Sequence, residues 1–426
     1  MLEELYQLYF KHRDVTTDSR MIRPGCMYFA LKGERFNGNE FALDALAHGA
    51  VCAVVDEDVE SDDQRIVRVD DVLATLQALA KRYRSDWKFP VLAITGSNGK
   101  TTTKELVRDV LSRKYRVSAT LGNLNNHIGI PLTMLRVPSD CAFAVIEMGA
   151  NHQREIAGYC QYAMPTHGLI TNIGKAHLEG FGGEEGVFKG KKELYDYLYA
   201  SGGVVFANTE LQKLKEASLG MNPVAYGFAN GSFHLSLVSE SPTLQFRYER
   251  QGQALIINTQ LAGGYNLYNV ASAVQVGLTF GVPEEDILDA IRSYVPDNNR
   301  SQLKSTDRNT LILDAYNANP TSVEHALHSL AKQDHPKRMF ILGDMLELGN
   351  ESIREHKAII QLSQELGLTG YFVGPIYQSI AEESGVLAFQ DTDAFRTFLE
   401  ENPVTEHLIL IKGSRGIKLE GVVNVL

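Results

Sequence analysis

The sequence predicts an α/β protein with three domains, and three observations support this. The chain has 426 residues, enough for two to four domains with separate cores. Strand-like apolar runs alternate with amphipathic helical segments from residue 91 to about 200, and again after residue 300. A charged segment that ends in proline, residues 84–90, predicts a linker before the first of these series. The expected domains are residues 1–88, 89–299 and 300–426.

The first 88 residues predict a small α/β domain, because short apolar runs there are interleaved with two amphipathic stretches. The expected strands are Met27–Leu31, Val51–Val55 and Ile66–Val69. The expected helices are Glu40–His48 and Val72–Tyr83.

An apolar run, a glycine loop, a lysine and three threonines follow one another over residues 91–103. This order is typical of a P-loop, in which backbone N–H groups and a lysine hold phosphates and a threonine hydroxyl faces Mg²⁺. An ordinary glycine turn is the alternative. The usual pattern has a further glycine where this chain has Ile94, so the loop is a shortened variant. The residues expected to hold a nucleotide triphosphate are Gly96, Ser97, Asn98, Gly99, Lys100, Thr101 and Thr102.

A helix is predicted directly after this loop, with its positive end at the phosphates. The residues expected on its buried face are Leu106, Val107, Val110 and Leu111. The residues expected to face water are Lys104, Glu105, Arg108 and Asp109.

Composition excludes several classes of protein. A formal charge of −11 argues against a nucleic-acid or membrane-surface protein, so an anionic substrate must meet local cationic groups. The chain has no apolar run of about 20 residues, and its amino terminus lacks the apolar core of a signal peptide. Its four cysteines have no metal-binding spacing and predict buried thiols. We therefore expect a cytoplasmic protein without membrane insertion, with a monomer as the favoured oligomeric state.

Between residues 232 and 261 the apolar period changes to two, which predicts a small antiparallel sheet beside the main one. Leu244, Phe246 and Tyr248 alternate there with Gln245, Arg247 and Glu249.

After residue 300 the strand and helix alternation predicts a Rossmann-like domain. One of its helices is expected to begin at Pro320 with Asn319 as its cap, and another contains Ile359, Leu362 and Leu366. The expected strands are Leu311–Leu313, Met339–Leu342, Tyr371–Val373 and Leu408–Ile411.

Two polar residues follow apolar strands of the central domain. Glu147 ends one such run, where nucleotide-binding sheets place a metal-binding acid, although a surface glutamate is the alternative. His177 follows another strand and a glycine loop, and is either a ligand near the phosphates or a hydrogen-bonded loop residue. Lys189 and Lys192, further along, are interpreted as solvated residues of a basic helix.

Taken together, the motifs of the chain resemble the Mur ligases, ATP-dependent amide-forming enzymes of peptidoglycan precursor synthesis. The resemblance runs in order along nearly the whole chain. In the central part it rests on Thr95–Lys104, Gly122–Thr133, Glu147–Asn151, Asn172–Phe181, Gly264–Asn269, Arg300 and Asp314–Pro320. In the outer parts it rests on Asp18–Arg20, Phe29–Gly33, Ile341–Gly349 with Ser352 and His356, and Lys412–Arg415.

The resemblance implies a three-domain architecture: an amino-terminal uridine-nucleotide domain, a central P-loop ATPase sheet, and a carboxyl-terminal Rossmann-like domain. It also implies a reaction. D-alanyl-D-alanine is joined to UDP-N-acetylmuramoyl-tripeptide through an acyl phosphate, with ADP and phosphate as products. The third residue of the tripeptide, diaminopimelate or lysine, is left open. A hinge is expected around Asn298–Leu303.

For the metal site, the resemblance implies that Thr101 and Glu147 bind one Mg²⁺. His177 would bind a second, together with Lys191 carrying a carbamate. A carbamate is an anion with two oxygens, the ligand type that Mg²⁺ prefers, and it forms on a neutral amine. The motif favours Lys191 over Lys189 and Lys192.

For the substrates, the resemblance implies three further groups of residues. The residues implied to bind ATP are Asn266, Asn269, Arg300, Asp314 and Tyr316. Those implied to bind the UDP end of the substrate are Ser19 and Arg20. Those implied to bind its sugar and peptide are Asn123, Asn125 and Asn126. Simpler interpretations exist for several of them: helix capping by Asn266 and Asn269, a strand-end carboxylate for Asp314, and a polar turn for the other asparagines.

For the function of the whole chain, the alternatives are a folylpolyglutamate synthetase-like ligase and a non-catalytic nucleotide-binding module.

Overall fold

Parallel strands lie at the centre of three successive parts of the chain in a computed structural model, which describes residues 1–229, 231–297 and 299–426. The predicted α/β class with parallel sheets is confirmed. The predicted hinge includes Asn298, which lies outside the described residues, so that hinge remains a prediction.

The amino-terminal part carries a four-stranded parallel sheet in the order β1-β2-β5-β6, with β3 and β4 forming a separate antiparallel pair. The strands are β1 (Val15–Thr16), β2 (Met27–Phe29), β3 (Lys32–Gly33), β4 (Phe36–Asn37), β5 (Cys52–Val55) and β6 (Ile66–Arg68). The helices are α1 (Leu2–His12), α2 (Ala42–Ala47) and α3 (Val72–Arg84). The helix predicted from Glu40 begins instead as a short 3₁₀ turn, Gly38–Phe41, in which Asn37 accepts a hydrogen bond from the Asn39 N–H.

The segment predicted as a linker is closely packed against the central part. The Arg84 guanidinium donates to the backbone carbonyls of Ala163 and Met164 at 3.0 and 2.7 Å. Trp87 is buried and stacks on Phe89, with ring centroids 5.1 Å apart. This charged segment, with its two packed aromatic rings, is therefore part of the interface between the amino-terminal and central parts.

The central part contains a six-stranded parallel sheet in the order β12-β11-β10-β7-β9-β8 and the predicted antiparallel sheet in the order β13-β14-β15. Its strands are β7 (Val91–Thr95), β8 (Val117–Ala119), β9 (Phe143–Glu147), β10 (His167–Ile170), β11 (Val204–Asn208), β12 (Val224–Tyr226), β13 (His234–Ser239), β14 (Gln245–Arg250) and β15 (Gln253–Asn258). Its helices are α4 (Lys100–Ser112), α5 (Gly129–Leu135), α6 (Glu155–Ala163), α7 (Leu178–Phe181), α8 (Glu184–Ser201), α9 (Gln212–Ala217), α10 (Asn266–Thr279) and α11 (Glu284–Ser293).

The order of these strands determines where polar residues meet. Strand β7, which leads into the glycine loop, lies between β9 and β10. Its last residues pair with the last residues of both neighbours, Ile94 with Glu147 and Thr95 with Ile170. The loop after β7 therefore emerges at the carboxyl edge of the sheet, between the segments that carry Glu147 and His177.

The carboxyl-terminal part contains a six-stranded sheet in the order β16-β17-β21-β18-β19-β20, in which only β16 is antiparallel to its neighbour. Its strands are β16 (Gln302–Ser305), β17 (Thr310–Leu313), β18 (Arg338–Gly343), β19 (Thr369–Val373), β20 (Ala388–Phe389) and β21 (Leu408–Lys412). Its helices are α12 (Pro320–Ala331), α13 (Ser352–Glu365), α14 (Pro375–Ser384) and α15 (Thr392–Glu401).

Helix α12 begins where the sequence predicts. The Asn319 side chain accepts from the Ser322 N–H at 3.0 Å, and the Ser322 hydroxyl accepts from the Asn319 N–H at 3.1 Å. This reciprocal pair is a capping box, with Pro320 at the first helical position. In residues 1–229, 231–297 and 299–426, no helix has the length and apolar character needed to cross a bilayer.

Candidate active site

The loop after β7 wraps tightly because its two glycines adopt positive φ angles, 145° at Gly96 and 76° at Gly99. A Cβ at Gly99 would lie 2.4 Å from Oδ1 of Asn269, and one at Gly96 would lie 2.0 Å from Oγ1 of Thr171. Neither position has room for a side chain. The first turn of α4 follows directly, so its free N–H groups point toward the space in front of the loop.

Lys100 lies at the start of α4 and folds back over the loop. Its ammonium donates to the carbonyls of Gly96 and Ser97 at 2.7 and 3.2 Å. Desolvation, opposed by the charge of Glu147 and assisted by that of Arg300, lowers the pKa of Lys100 to about 8. The amine is therefore near the point where it gains or loses its proton at mildly alkaline pH.

Glu147 presents one free oxygen to the same space. Its Oε1 accepts from the Thr101 hydroxyl at 3.2 Å and from the Asn125 amide at 2.8 Å. Its Oε2 is buried and has no hydrogen-bond partner among the described residues. An orphaned carboxylate oxygen beside a threonine hydroxyl is a suitable ligand pair for a hard cation.

Lys104 corrects one sequence prediction. Instead of facing water it is fully buried, and its ammonium donates to the Thr120 carbonyl at 2.6 Å and pairs with Glu105 at 2.7 Å. It also lies 4.0 Å from Oε2 of Glu147. Glu105 is buried as well, so half of the predicted wet face of α4 is in contact with the sheet edge. The helical period alone could not show that the loop after β8 covers this side.

His177 precedes α7 with a left-handed backbone, at φ 52°. Its side chain contacts the carboxylate of Glu347 from the carboxyl-terminal part. The contact is made by the buried Nδ1 of His177 with Oε2 of Glu347, and Nδ1 has no other partner among the described residues.

Lys191 lies on α8 with its side chain buried behind Ala150. The amine donates to the Ala150 carbonyl at 3.1 Å and lies 4.9 Å from the centre of the Phe181 ring. Burial, and then the positive charge of Lys100, hold the pKa of Lys191 well below its ordinary value. By contrast, Lys189 and Lys192 pair with surface carboxylates of the same helix, as interpreted from the sequence.

A cavity of about 650 Å³ lies between the central and carboxyl-terminal sheets. Most of the predicted site residues line it: Ser97, Asn98, Gly99, Lys100, Thr101, Thr102, Asn123, Asn125, Asn126, Glu147, His177, Asn266, Asn269, Arg300, Asp314 and Tyr316. Four of the predicted site residues that the structure describes do not line this cavity: Gly96, Lys191, Ser19 and Arg20. Arg20 is exposed on a 3₁₀ turn and pairs with Asp18 at 2.7 Å.

One part of the cavity wall combines a guanidinium group with aromatic rings. The Arg300 guanidinium lies 3.6 Å from the centre of the Tyr316 ring, and its Nε is buried without a partner among the described residues. Asp314 is fixed by the Lys412 ammonium at 2.6 Å. Tyr265 and His325, which sequence analysis did not identify, stack in the cavity wall with ring centroids 6.3 Å apart.

Asn266 and Asn269 do not cap α10, so the capping interpretation is wrong. The residue before the helix is Tyr265, and the Asn266 amide donates to the Ala262 carbonyl at 2.7 Å. Asn269 donates to Asn266 at 2.8 Å and accepts from the Thr103 hydroxyl at 3.0 Å. Together they brace the glycine loop from the side of α10.

The central and carboxyl-terminal parts touch across the cavity. The side-chain amides of Asn98 and Asn319 exchange hydrogen bonds at 2.7 and 3.4 Å. Lys175 forms an ion pair with Glu355 at 2.8 Å. Neither contact was predicted, because each joins residues far apart in the chain.

The residues present fit a magnesium site of mixed ligand type. Among the described residues, no three His, Cys, Asp or Glu side chains lie close enough to hold a metal by themselves. The predicted set instead combines Thr101, Glu147, His177 and Lys191. Oε2 of Glu147 is buried without a hydrogen-bond partner among the described residues, and His177 lines the same cavity with its Nδ1 in contact with Oε2 of Glu347.

Comparison with known families matches most of the chain. Residues 94–277 match the Mur ligase middle domain. Residues 299–415 match the Mur ligase glutamate ligase domain, and residues 12–84 match the catalytic domain of the Mur ligase family.

Curated relatives are similar over their whole length. A UDP-N-acetylmuramoyl-tripeptide–D-alanyl-D-alanine ligase of Bacillus subtilis is 33% identical over 425 residues, covering 97% of this chain and 92% of the relative. The protein of the same name from Escherichia coli is 33% identical over 429 residues, covering 97% and 93%.

Solved structures show the same architecture. Crystal structure I of MurF from Acinetobacter baumannii superposes with a TM-score of 0.88 at 30% identity, covering all of this chain and 98% of that chain. The MurF ligase of Thermotoga maritima in complex with ADP gives a TM-score of 0.87 at 25% identity, covering 98% and 97%.

Proposed function

The chain belongs to the Mur ligase family, and from this membership we propose that it joins D-alanyl-D-alanine to UDP-N-acetylmuramoyl-tripeptide, forming ADP and phosphate. The observation that carries the proposal is the convergence of the P-loop, Glu147 and His177 on one cavity. The whole-length similarity to ligases of that name supports the identity of both substrates.

The reaction begins with transfer of the γ-phosphoryl group of ATP to the tripeptide carboxylate, which is otherwise a poor electrophile. The loop N–H groups and Lys100 hold the β- and γ-phosphates, while the Lys100 ammonium exchanges its loop carbonyl partners for phosphate oxygens. The stacked Arg300 and Tyr316 offer a surface for the nucleoside, together with Asp314. The amine of the dipeptide then attacks the acyl phosphate, and phosphate leaves.

Thr101 and Glu147 would hold one Mg²⁺, and His177 with Lys191 a second. When bound, these ions would neutralise phosphate charge and polarise the γ-phosphoryl group. The four side chains come from α4, β9, the loop before α7, and α8, so the sheet order determines how they meet. Oε2 of Glu147 is buried and has no hydrogen-bond partner among the described residues, which supports its availability for this purpose.

Lys191 serves this site as a carbamate in our proposal. Its neutral amine attacks CO₂, forms an N–C bond and releases one proton to solvent. The burial of Lys191 supports this, because a low pKa supplies the neutral amine. The product would place two oxygens near Ala150, which lines the cavity.

Acyl phosphates react with water, so the chain must exclude water at the second step. The contacts between Asn98 and Asn319, and between Lys175 and Glu355, join the central and carboxyl-terminal parts, and the first pair lines the cavity. Positioning of the amine in a closed space is worth roughly 7 kcal/mol of the barrier. The central and carboxyl-terminal parts thus act together.

The test is phosphate release with UDP-muramoyl-tripeptides that contain either diaminopimelate or lysine, each with and without D-alanyl-D-alanine. We expect steady ADP and phosphate formation only when both substrates and Mg²⁺ are present. Addition of a chelator should stop ADP formation. Turnover that continues without metal would contradict the two-ion site, and turnover with a folate and glutamate would favour the folylpolyglutamate synthetase alternative.

Nucleotide binding should take up a proton at alkaline pH. Since the pKa of Lys100 is about 8 without ligand and phosphate charge raises it, the protein at pH 9 gains a proton when ADP binds. At pH 6.5 Lys100 already carries its proton, and no uptake by this group is expected. Calorimetric titration in buffers of different ionisation enthalpy measures the number of protons taken up when ADP binds.

Lys100→Arg is the control for this uptake, because a guanidinium stays charged in both states. The proton uptake at pH 9 should disappear in this variant. If it persists unchanged, another group is responsible.

We also propose that the protein is a cytoplasmic monomer. Its four buried free thiols support a reducing compartment.

A further inference from the structure

Glu347 reaches from the carboxyl-terminal sheet into contact with the centre described above. It follows β18 at the carboxyl edge of that sheet, and its carboxylate touches the imidazole of His177. The backbone of the two segments is also joined, because the Glu179 N–H donates to the Glu347 carbonyl at 3.4 Å. Its side chain is 52% exposed, so the carboxylate remains accessible to a ligand next to His177.

Backbone hydrogen bonds fix the two residues that precede Glu347. The Met345 N–H donates to Nε2 of His356 at 3.0 Å, and the Leu346 N–H donates to the Ser414 hydroxyl at 2.9 Å. Glu347 itself has a left-handed backbone, at φ 64°, which a residue with a side chain rarely adopts. Such conformations persist where surrounding contacts impose them, often at functional sites.

Charge distinguishes Glu347 from the other carboxylates of this region. Glu355 is paired with Lys175 at 2.8 Å and Asp314 with Lys412 at 2.6 Å. Glu147 is buried beside Lys104. In the part of the chain that the structure describes, Glu347 pairs with no lysine or arginine. Its Oε2 contacts Nδ1 of His177, which leaves Oε1 available to a ligand.

The nucleophile of the proposed reaction arrives as a cation. ATP, the UDP group and the reacting tripeptide carboxylate are anionic, whereas the dipeptide arrives with an ammonium group. That nitrogen must come within bonding distance of the acyl phosphate. A carboxylate in contact with His177, which lines the cavity, is a group that would attract it there.

We propose that Glu347 binds the ammonium group of the incoming dipeptide and so orients its nitrogen toward the acyl phosphate. The ammonium then releases a proton to solvent, the neutral nitrogen forms the bond to the acyl carbon, and phosphate leaves. This assignment rests on the proposed function. It predicts that Glu347 acts only after the first phosphoryl transfer, because ATP and the tripeptide are bound by other residues.

The experiment separates the two steps with hydroxylamine, a small nucleophile that is uncharged at neutral pH. Its nitrogen attacks the acyl carbon and phosphate leaves, so a hydroxamate reports the acyl phosphate without the dipeptide. In Glu347→Gln we expect the KM for D-alanyl-D-alanine to rise roughly 10- to 100-fold, with the KM for ATP and the hydroxamate rate unchanged. Glu347→Asp should restore part of the affinity for the dipeptide.

Glu383→Gln is the matched control, because Glu383 is an exposed carboxylate of the same part, paired with Lys357 at 2.8 Å. It should behave as the unmodified protein does. Loss of hydroxamate formation in Glu347→Gln would overturn the assignment, since Glu347 would then act through His177 on the first step. An unchanged KM for the dipeptide would also overturn it. If the unmodified protein forms neither hydroxamate nor ligated product, the proposed function itself fails.

Discussion

Replacement of Lys100 by alanine should reduce turnover by about 1000-fold or more, the largest effect that we expect from a single substitution in this chain. The ammonium is the cationic side chain nearest to the loop carbonyls that border the phosphate space, and α4 begins at this residue. In the transition state, charge spreads over the γ-phosphoryl oxygens, and loss of a positioned cation there costs several kcal/mol. Phosphate release at saturating substrates measures the effect.

Lys189→Ala is the control for this variant. Lys189 is exposed on α8 and pairs with Glu185 at 2.8 Å, so its loss should leave turnover within about twofold. Thermal unfolding of both variants shows whether the fold is retained. Near-normal turnover of Lys100→Ala in a folded protein would refute the phosphate role of this lysine.

The second large effect concerns Lys191. In Lys191→Ala we expect turnover to fall by at least about 100-fold, because two ligand oxygens would be lost from the proposed metal site. The alanine leaves a space behind Ala150 where the buried side chain was. A short-chain carboxylic acid such as formate or acetate could occupy that space and supply the missing oxygens.

Partial recovery with such an acid separates a ligand role from a structural one, because a packing defect would not respond to it in a saturable, size-dependent way. Lys192→Ala is the matched control: its side chain pairs with Asp196 on the surface of the same helix. If Lys191→Ala retains full turnover, or if carbon-13 NMR of the protein kept in labelled bicarbonate shows no carbamate carbon, the carbamate proposal is wrong.

Much of the fold could be predicted because local signals agreed with the final architecture. The P-loop, the cap at Asn319 and the period of two between residues 232 and 261 each reflect a local rule, and each element is present. Polar residues at strand ends were also predictable, since parallel strands bring their carboxyl ends to one edge. Glu147 and His177 line the cavity for that reason.

The remaining features depend on contacts between distant segments. Lys104 is buried because the loop at Thr120 covers one side of α4, which no helical period can reveal. His325 and Tyr265 meet only when α12 packs beside α10. Glu347 was part of a recognised motif, but its approach to His177 requires both sheets in place.

The packed segment around Arg84 has a consequence for how this chain could exchange parts with its relatives. Two tyrosines accompany it: Tyr9 donates to the Leu135 carbonyl and Tyr83 to the Val137 carbonyl, both at 2.7 Å. A chimera that takes its first 88 residues from another ligase would have to recreate these fits, or leave Ala163 and Met164 without their donors. We therefore expect that the amino-terminal part cannot be exchanged as an independent module unless its partner surface is exchanged with it.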